Sequence, residues 1–208
     1  MMRFFLFAAL MVLGLPAAAM QFERCTKSEI AFASAAVDGA RDVITRAAGH
    51  VGPTPEYERW FGPFRADLGE EVRAGLKAVD RALESEDLVL ICPNTGEDGC
   101  DAGTYANVWP DDPFRVNLCS AFFGQPTMEG ILSTSMAFDT GTREGTIIHE
   151  VSHFIRAAGT DDICYTRTDC SEMARTDSES AVRNADSFQY FAEDVVFAMR
   201  AQRASEAL

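Results

Sequence analysis

The stretch His149-Glu150-Val151-Ser152-His153 decides how the rest of this 208-residue chain is read. On a helix of ~3.6 residues per turn, positions i and i+4 lie one above the other on the same face. His149 and His153 can therefore turn both imidazoles toward one metal ion. Glu150 sits beside that face, placed to act as a base on water rather than as a ligand. Ile147, Val151, Phe154 and Ile155 form an apolar stripe roughly opposite the histidines. One side of the helix can then enter a core while the other faces a cleft. The competing reading is an ordinary amphipathic helix with two satisfied histidines. Two of the chain's three histidines fall in this stretch, which favours the metal.

Two histidines do not make a catalytic metal centre, which usually has three protein ligands and one open position. A third histidine at the H-E-x-x-H-x-x-G-x-x-H spacing is absent, so the metzincin pattern fails. Glu172, Glu179 and Glu193 are distant candidates. The nearer option is Gly159-Thr160-Asp161-Asp162. A glycine after the helix can turn the chain back sharply and bring an aspartate toward the metal within one loop.

Around this motif the chain has the composition of a globular protein, 47% hydrophobic and 24% charged, and a length suited to a single domain. A net charge of -14 argues against nucleic acid as a partner, since phosphate binding needs clustered Lys and Arg. Residues 1–19 read as an export signal: Arg3, an apolar run from Phe4 to Leu15, then an A-x-A-type cleavage site at 17–19. The run is too short to span a ~30 Å bilayer as a helix, and no membrane association is expected after cleavage. Residues 20–208 would be the mature domain. Its six cysteines, Cys25, Cys92, Cys100, Cys119, Cys164 and Cys170, read as disulfides in an exported chain, with connectivity open among ~15 pairings.

Apolar spacing predicts a long helix after Cys25 up to Gly49, a short aromatic element around Tyr57, Trp60 and Phe61, and a second long helix over 64–83. Short runs at 88–92, 104–109 and 114–119, separated by turn-rich segments, read as strands of an antiparallel sheet. The motif helix is expected over 144–157, ended by Gly159, and a last helix over 187–203. The fold class is α+β, mainly helical with a small antiparallel sheet and an active-site helix carrying the H-E-x-x-H motif.

HEVSH at 149–153 with GTDD at 159–162 resembles the signature of the aspzincins, the deuterolysin and peptidyl-Lys metalloendopeptidase family. The segment 104–123 resembles the family's strand region before the active helix, and 184–194 and the cysteine order resemble its peptidyl-Lys branch. The resemblance implies a zincin-like fold and one zinc ion per chain, held by His149, His153 and Asp162. It implies Glu150 as general base and Tyr165 as a stabiliser of the transition state. It also implies the pairs Cys25–Cys92 and Cys100–Cys119, and with them Cys164–Cys170. In the Lys-specific branch an aspartate and a glutamate form an acidic pocket for the lysine after the cleaved bond. Asp186 matches the first position, while the second is Gln189 here. A helix N-cap is the competing role for Asp186. The function implied is that of a secreted zinc metalloendopeptidase acting on proteins and peptides, extracellular or periplasmic, with Lys or another basic residue on the leaving side. A monomer is expected. The alternative is an inactive or non-proteolytic exported zinc-binding protein that recognises peptides.

Overall fold

The computed structural model describes residues 20–131 and 141–207; the expected export signal lies outside them. The first helix, α1 (Lys27–His50), starts where Thr26 and Glu29 form a capping box. Each satisfies a backbone N–H that the first turn leaves without a partner. Pro55 stands at the start of α2 (Pro55–Phe61), capped by Thr54, and α3 (Ala66–Leu83) follows. α1 buries Ala33, Val37, Ala40, Ile44 and Ala47, and α3 buries Leu68, Val72, Leu76 and Val79. Both are single apolar stripes at helical spacing. The small α1 residues let α3, α4 (Arg143–His153) and α7 (Ala185–Glu206) all pack closely on it. An aromatic cluster of Tyr57, Phe61, Phe188 and Phe191, with Trp60 on Tyr190, joins α2 to α7.

Four short strands, β1 (Gln21–Glu23), β2 (Val89–Ile91), β3 (Ala106–Val108) and β4 (Arg115–Leu118), make one sheet in the order β1-β2-β4-β3. The expectation of an antiparallel sheet holds for the β3–β4 hairpin and fails elsewhere, because β1 pairs with β2, and β2 with β4, in parallel. Parallel neighbours need a long crossover, and α1–α3 supply it between β1 and β2. β3 then sits outside β4, at the sheet edge. β1 has no counterpart in the sequence reading, and neither has α5 (Arg167–Thr176), which precedes the short α6 (Ser178–Ala181). Among the described residues no helix is long and apolar enough to cross a membrane.

Three disulfides are formed, Cys25–Cys92, Cys100–Cys119 and Cys164–Cys170. The first spans 67 residues and ties the start of α1 to the end of β2. Closing so long a loop restricts the unfolded chain most. Replacing Cys25 and Cys92 together by serine is therefore expected to cost about 4 kcal/mol. Non-reducing denaturant titration measures it, and a loss below about 1 kcal/mol would contradict the loop-closure argument.

Candidate metal centre

The motif helix α4 is shorter than its pattern suggests, ending at His153 rather than near Ala157. Phe154 keeps its place in the core, but Ile155 points outward, 70% exposed. The chain turns back at once. Gly159 takes a positive φ of 62° and donates to Phe154 O, a conformation that costs glycine little. Thr160 N then bonds Ser152 O, and the Thr160 and Ser152 hydroxyls meet at 2.6 Å. Asp161 is held against Arg183 and Ala185 by two backbone bonds, a short parallel bridge to the start of α7. The loop is thus clamped between the end of α4 and the start of α7.

This clamp delivers Asp162. Its Oδ1 lies 3.2 Å from His149 Nε2 and 3.4 Å from His153 Nε2, while the two Nε2 atoms are 3.1 Å apart. On the far side of each ring, His149 Nδ1 meets Asp186 Oδ1 at 2.8 Å and His153 Nδ1 meets the Thr160 carbonyl at 2.9 Å. Those acceptors fix the proton on Nδ1 and leave the Nε2 lone pair for a metal. Three lone-pair donors then converge on one point, two imidazoles and a carboxylate, with all ligand atoms within 4.8 Å of one another. This is the donor set zinc takes, and the residues fit the ion.

Electrostatics agree with a cation-seeking cluster. Burial works to lower the pKa of His149, but Asp162 and Asp186 outweigh it and hold the ring at about 10. Asp162 is pushed up by partial burial, yet the two histidines carry it well below the usual carboxylate range. A proton on these rings competes with a metal for the same lone pairs. Burial also raises Glu150, against the pull of both histidines.

His149, Glu150 and Asp162 line a cleft of about 480 Å³, with Thr104 to Asn107 at the start of the edge strand β3 on one side and Asp186, Gln189 and Tyr190 of α7 on another. Tyr165, 58% exposed, stands at its mouth beside Asp162. Partial burial and the charge of Asp162 push its phenol up to about 12. Asp186 is not the N-cap of α7; Asn184 is, and Asp186 lies in the first turn. Gln189 donates to Glu193 at 3.3 Å. The glutamates considered as distant ligands are engaged elsewhere: Glu172 with Arg175, Glu179 with Arg65, and Glu193 with Arg167 and Thr142. Two contributors escaped the sequence reading. One is the Thr160 carbonyl. The other is Asn184, whose Oδ1 accepts from both Ile163 and Cys164 N–H and so shapes the loop that bears Tyr165. The GTDD spacing marks the first position; nothing local marks the second.

An α+β fold that holds an H-E-x-x-H helix against a loop aspartate, with a cleft across it, is the arrangement of the zincin class of metallopeptidases. The family model described as "Lysine-specific metallo-endopeptidase" matches residues 46–193. The chain belongs to this aspzincin family. It is 31% identical over 175 residues to an "Extracellular protease" of Aeromonas hydrophila, covering 82% of this chain and 46% of that protein. It is 33% identical over 165 residues to a "Peptidyl-Lys metalloendopeptidase" of Pleurotus ostreatus, covering 79% of this chain and 88% of the relative. The chain thus spans about half the length of the Aeromonas relative and nearly all of the Pleurotus one. A zinc peptidase from Grifola frondosa has the same fold, with a TM-score of 0.69 and 29% identity over 82% of this chain and 97% of that one.

Proposed function

We propose that this chain is an exported zinc metalloendopeptidase acting, as a monomer, on proteins and peptides. The observation that carries it is the convergence of His149 Nε2, His153 Nε2 and Asp162 Oδ1 beside a cleft that Glu150 also lines. His149, His153 and Asp162 would hold one zinc ion, which supplies a Lewis acid for the scissile carbonyl and makes water more acidic. Glu150 takes the proton from the attacking water and returns it to the leaving amine. Tyr165 donates its hydroxyl to the oxygen that gains charge; a phenol raised to about 12 keeps that proton at neutral pH. Export is supported by the three disulfides, by the name of the Aeromonas relative, and by the signal expected at residues 1–19.

On the leaving side Asp186 offers one carboxylate, already shared with His149, and Gln189 a neutral amide. A basic side chain is favoured there, but less strictly than two carboxylates would impose. Digesting a defined protein and sequencing the new N-termini by mass spectrometry tests both parts. Fragments beginning with Lys or Arg should be enriched above their frequency, with other residues present. No enrichment would remove the Asp186 pocket. Hydrolysis that survives a chelator would remove the metallopeptidase reading itself.

Asp186 also serves His149. Replacing it with asparagine keeps the size but not the anionic partner of Nδ1–H. The loss expected in metal affinity or in kcat/KM is about 10- to 100-fold. Zinc titration of the chelated protein and steady-state kinetics measure it; unchanged values in both would deny Asp186 that part.

A further inference from the structure

We infer that Arg167 is a positioning residue that holds Tyr165 at the metal centre. It does so through a buried ion cluster that also fixes the start of the active helix. This rests on the reading of Tyr165 as the oxyanion donor.

Tyr165 is mostly exposed, so packing does not hold it; the Cys164–Cys170 disulfide closes the loop around it, and the two flanks fix that loop on the fold. On the N-terminal flank Asn184 binds the N–H groups of Ile163 and Cys164. On the C-terminal flank Thr166, at a positive φ of 67°, turns the chain into α5, and Arg167 is the first helical residue. Its guanidinium reaches inward, donating to Asp194 Oδ1 at 2.7 Å and Glu193 Oε2 at 2.6 Å. It lies 4.5 Å over the ring of Tyr190 and 5.4 Å from that of Trp60. Both acids are almost wholly buried on α7.

The acids are not passive counter-ions. Glu193 Oε1 accepts from both the N–H and the hydroxyl of Thr142, each at 2.9 Å. Thr142 is the N-cap of α4, its hydroxyl accepting from Gly145 N. Asp194 Oδ2 accepts from Trp60 Nε1 and from Arg59. One planar, forked cation therefore locks the Tyr165 loop to α7, and through Glu193 to the helix that bears both histidines. A buried ion pair is a poor way to gain stability, since apolar residues of similar volume do as well or better. What it fixes is direction: the two acids and two ring faces admit the guanidinium in one orientation. A small misplacement of a group acting on the transition state costs rate, not affinity for the substrate.

The test is a double-mutant cycle with Tyr165→Phe and Arg167→Lys. Lysine keeps the charge but cannot bridge two acids and stack as a plane. Arg167→Lys is expected to lower kcat by up to about 100-fold, with stoichiometric zinc and KM within about threefold. Tyr165→Phe in the Arg167→Lys background should then cost far less than in the parent, because the phenol is already misplaced. Glu193→Gln, which weakens the same clasp from α7, carries the same test if Arg167→Lys does not fold. Costs that multiply independently, or a fall in melting temperature with kcat unchanged, would overturn the proposal. A Tyr165→Phe enzyme with full activity while Arg167→Lys is impaired would overturn the Tyr165 reading, and this proposal with it.

Discussion

Glu150→Gln is expected to remove hydrolysis while leaving zinc binding and fold intact. The glutamine has nearly the same size and fits the same buried site on α4, where the native residue is only 7% exposed. It takes no ligand from the cluster, since the converging donors are His149, His153 and Asp162. What disappears is a base that can take a proton from water and hand it to the leaving nitrogen. Such a group contributes about 10²- to 10⁴-fold to rate, or roughly 3–5 kcal/mol of barrier. The expected result is a kcat/KM lower by that factor, one zinc per chain by elemental analysis, and a melting temperature within about 4 °C of the parent, the size of shift ~1 kcal/mol produces in a chain this long. An active Glu150→Gln protein with its metal in place would mean that another group moves the proton. Loss of metal together with activity would mean that Glu150 is a ligand.

The parts of the molecule legible in the sequence are those specified by near neighbours. His149 and His153 share a face because helix geometry allows nothing else, and α1 and α3 follow from apolar stripes at the same period. The hairpin of β3 and β4 follows from the short turn between them. Illegible were the features set by distant partners. β1 is three residues long and largely exposed; it is a strand because β2 presents an edge, next to the Cys25–Cys92 bridge. The parallel pairing of β2 with β4 spans a loop and a strand, and no pattern within either records it. α5 buries only Cys170 and Ala174, so its apolar signal is too thin to read.

The end of α4 shows the same limit at the site. Spacing would run that helix through Ile155, but His153 needs an acceptor for Nδ1–H and finds the Thr160 carbonyl once the chain turns back. A tertiary hydrogen bond thus overrides a periodic pattern. Arg167, Glu193 and Asp194 mislead in another way. As letters they are charges expected at the surface, and Glu193 even qualified as a distant ligand. In the fold they satisfy one another inside, across 26 residues for Glu193 and 27 for Asp194.

Asp162→Ala should separate metal affinity from fold most sharply. Asp162 is the one donor of the cluster that does not lie on α4, and it is delivered by backbone contacts of Thr160 and Asp161 that its own side chain does not make. Truncating it therefore leaves the loop in place and takes away one ligand of three. Four-ligand structural zinc sites bind with ~10–16 kcal/mol, so one ligand is worth about 3 kcal/mol, on the order of a hundredfold in dissociation constant. After chelation and dialysis, the parent should regain activity at one zinc concentration and Asp162→Ala at a midpoint about a hundredfold higher, with a lower plateau. The remaining rings should still bind weakly, because Asp186 and Thr160 continue to hold their Nδ1 sides. Asp162→Glu keeps the carboxylate but lengthens its reach, and should fall between the two. If the reactivation midpoint of Asp162→Ala matched the parent, a different carboxylate would have to complete the centre. Glu150 and Asp186 line the same cleft, whereas the distant glutamates are held by Arg65, Arg167 and Arg175, so one of those could serve only if α5, α6 or α7 moved when zinc binds, a change that solution scattering or hydrogen exchange would register.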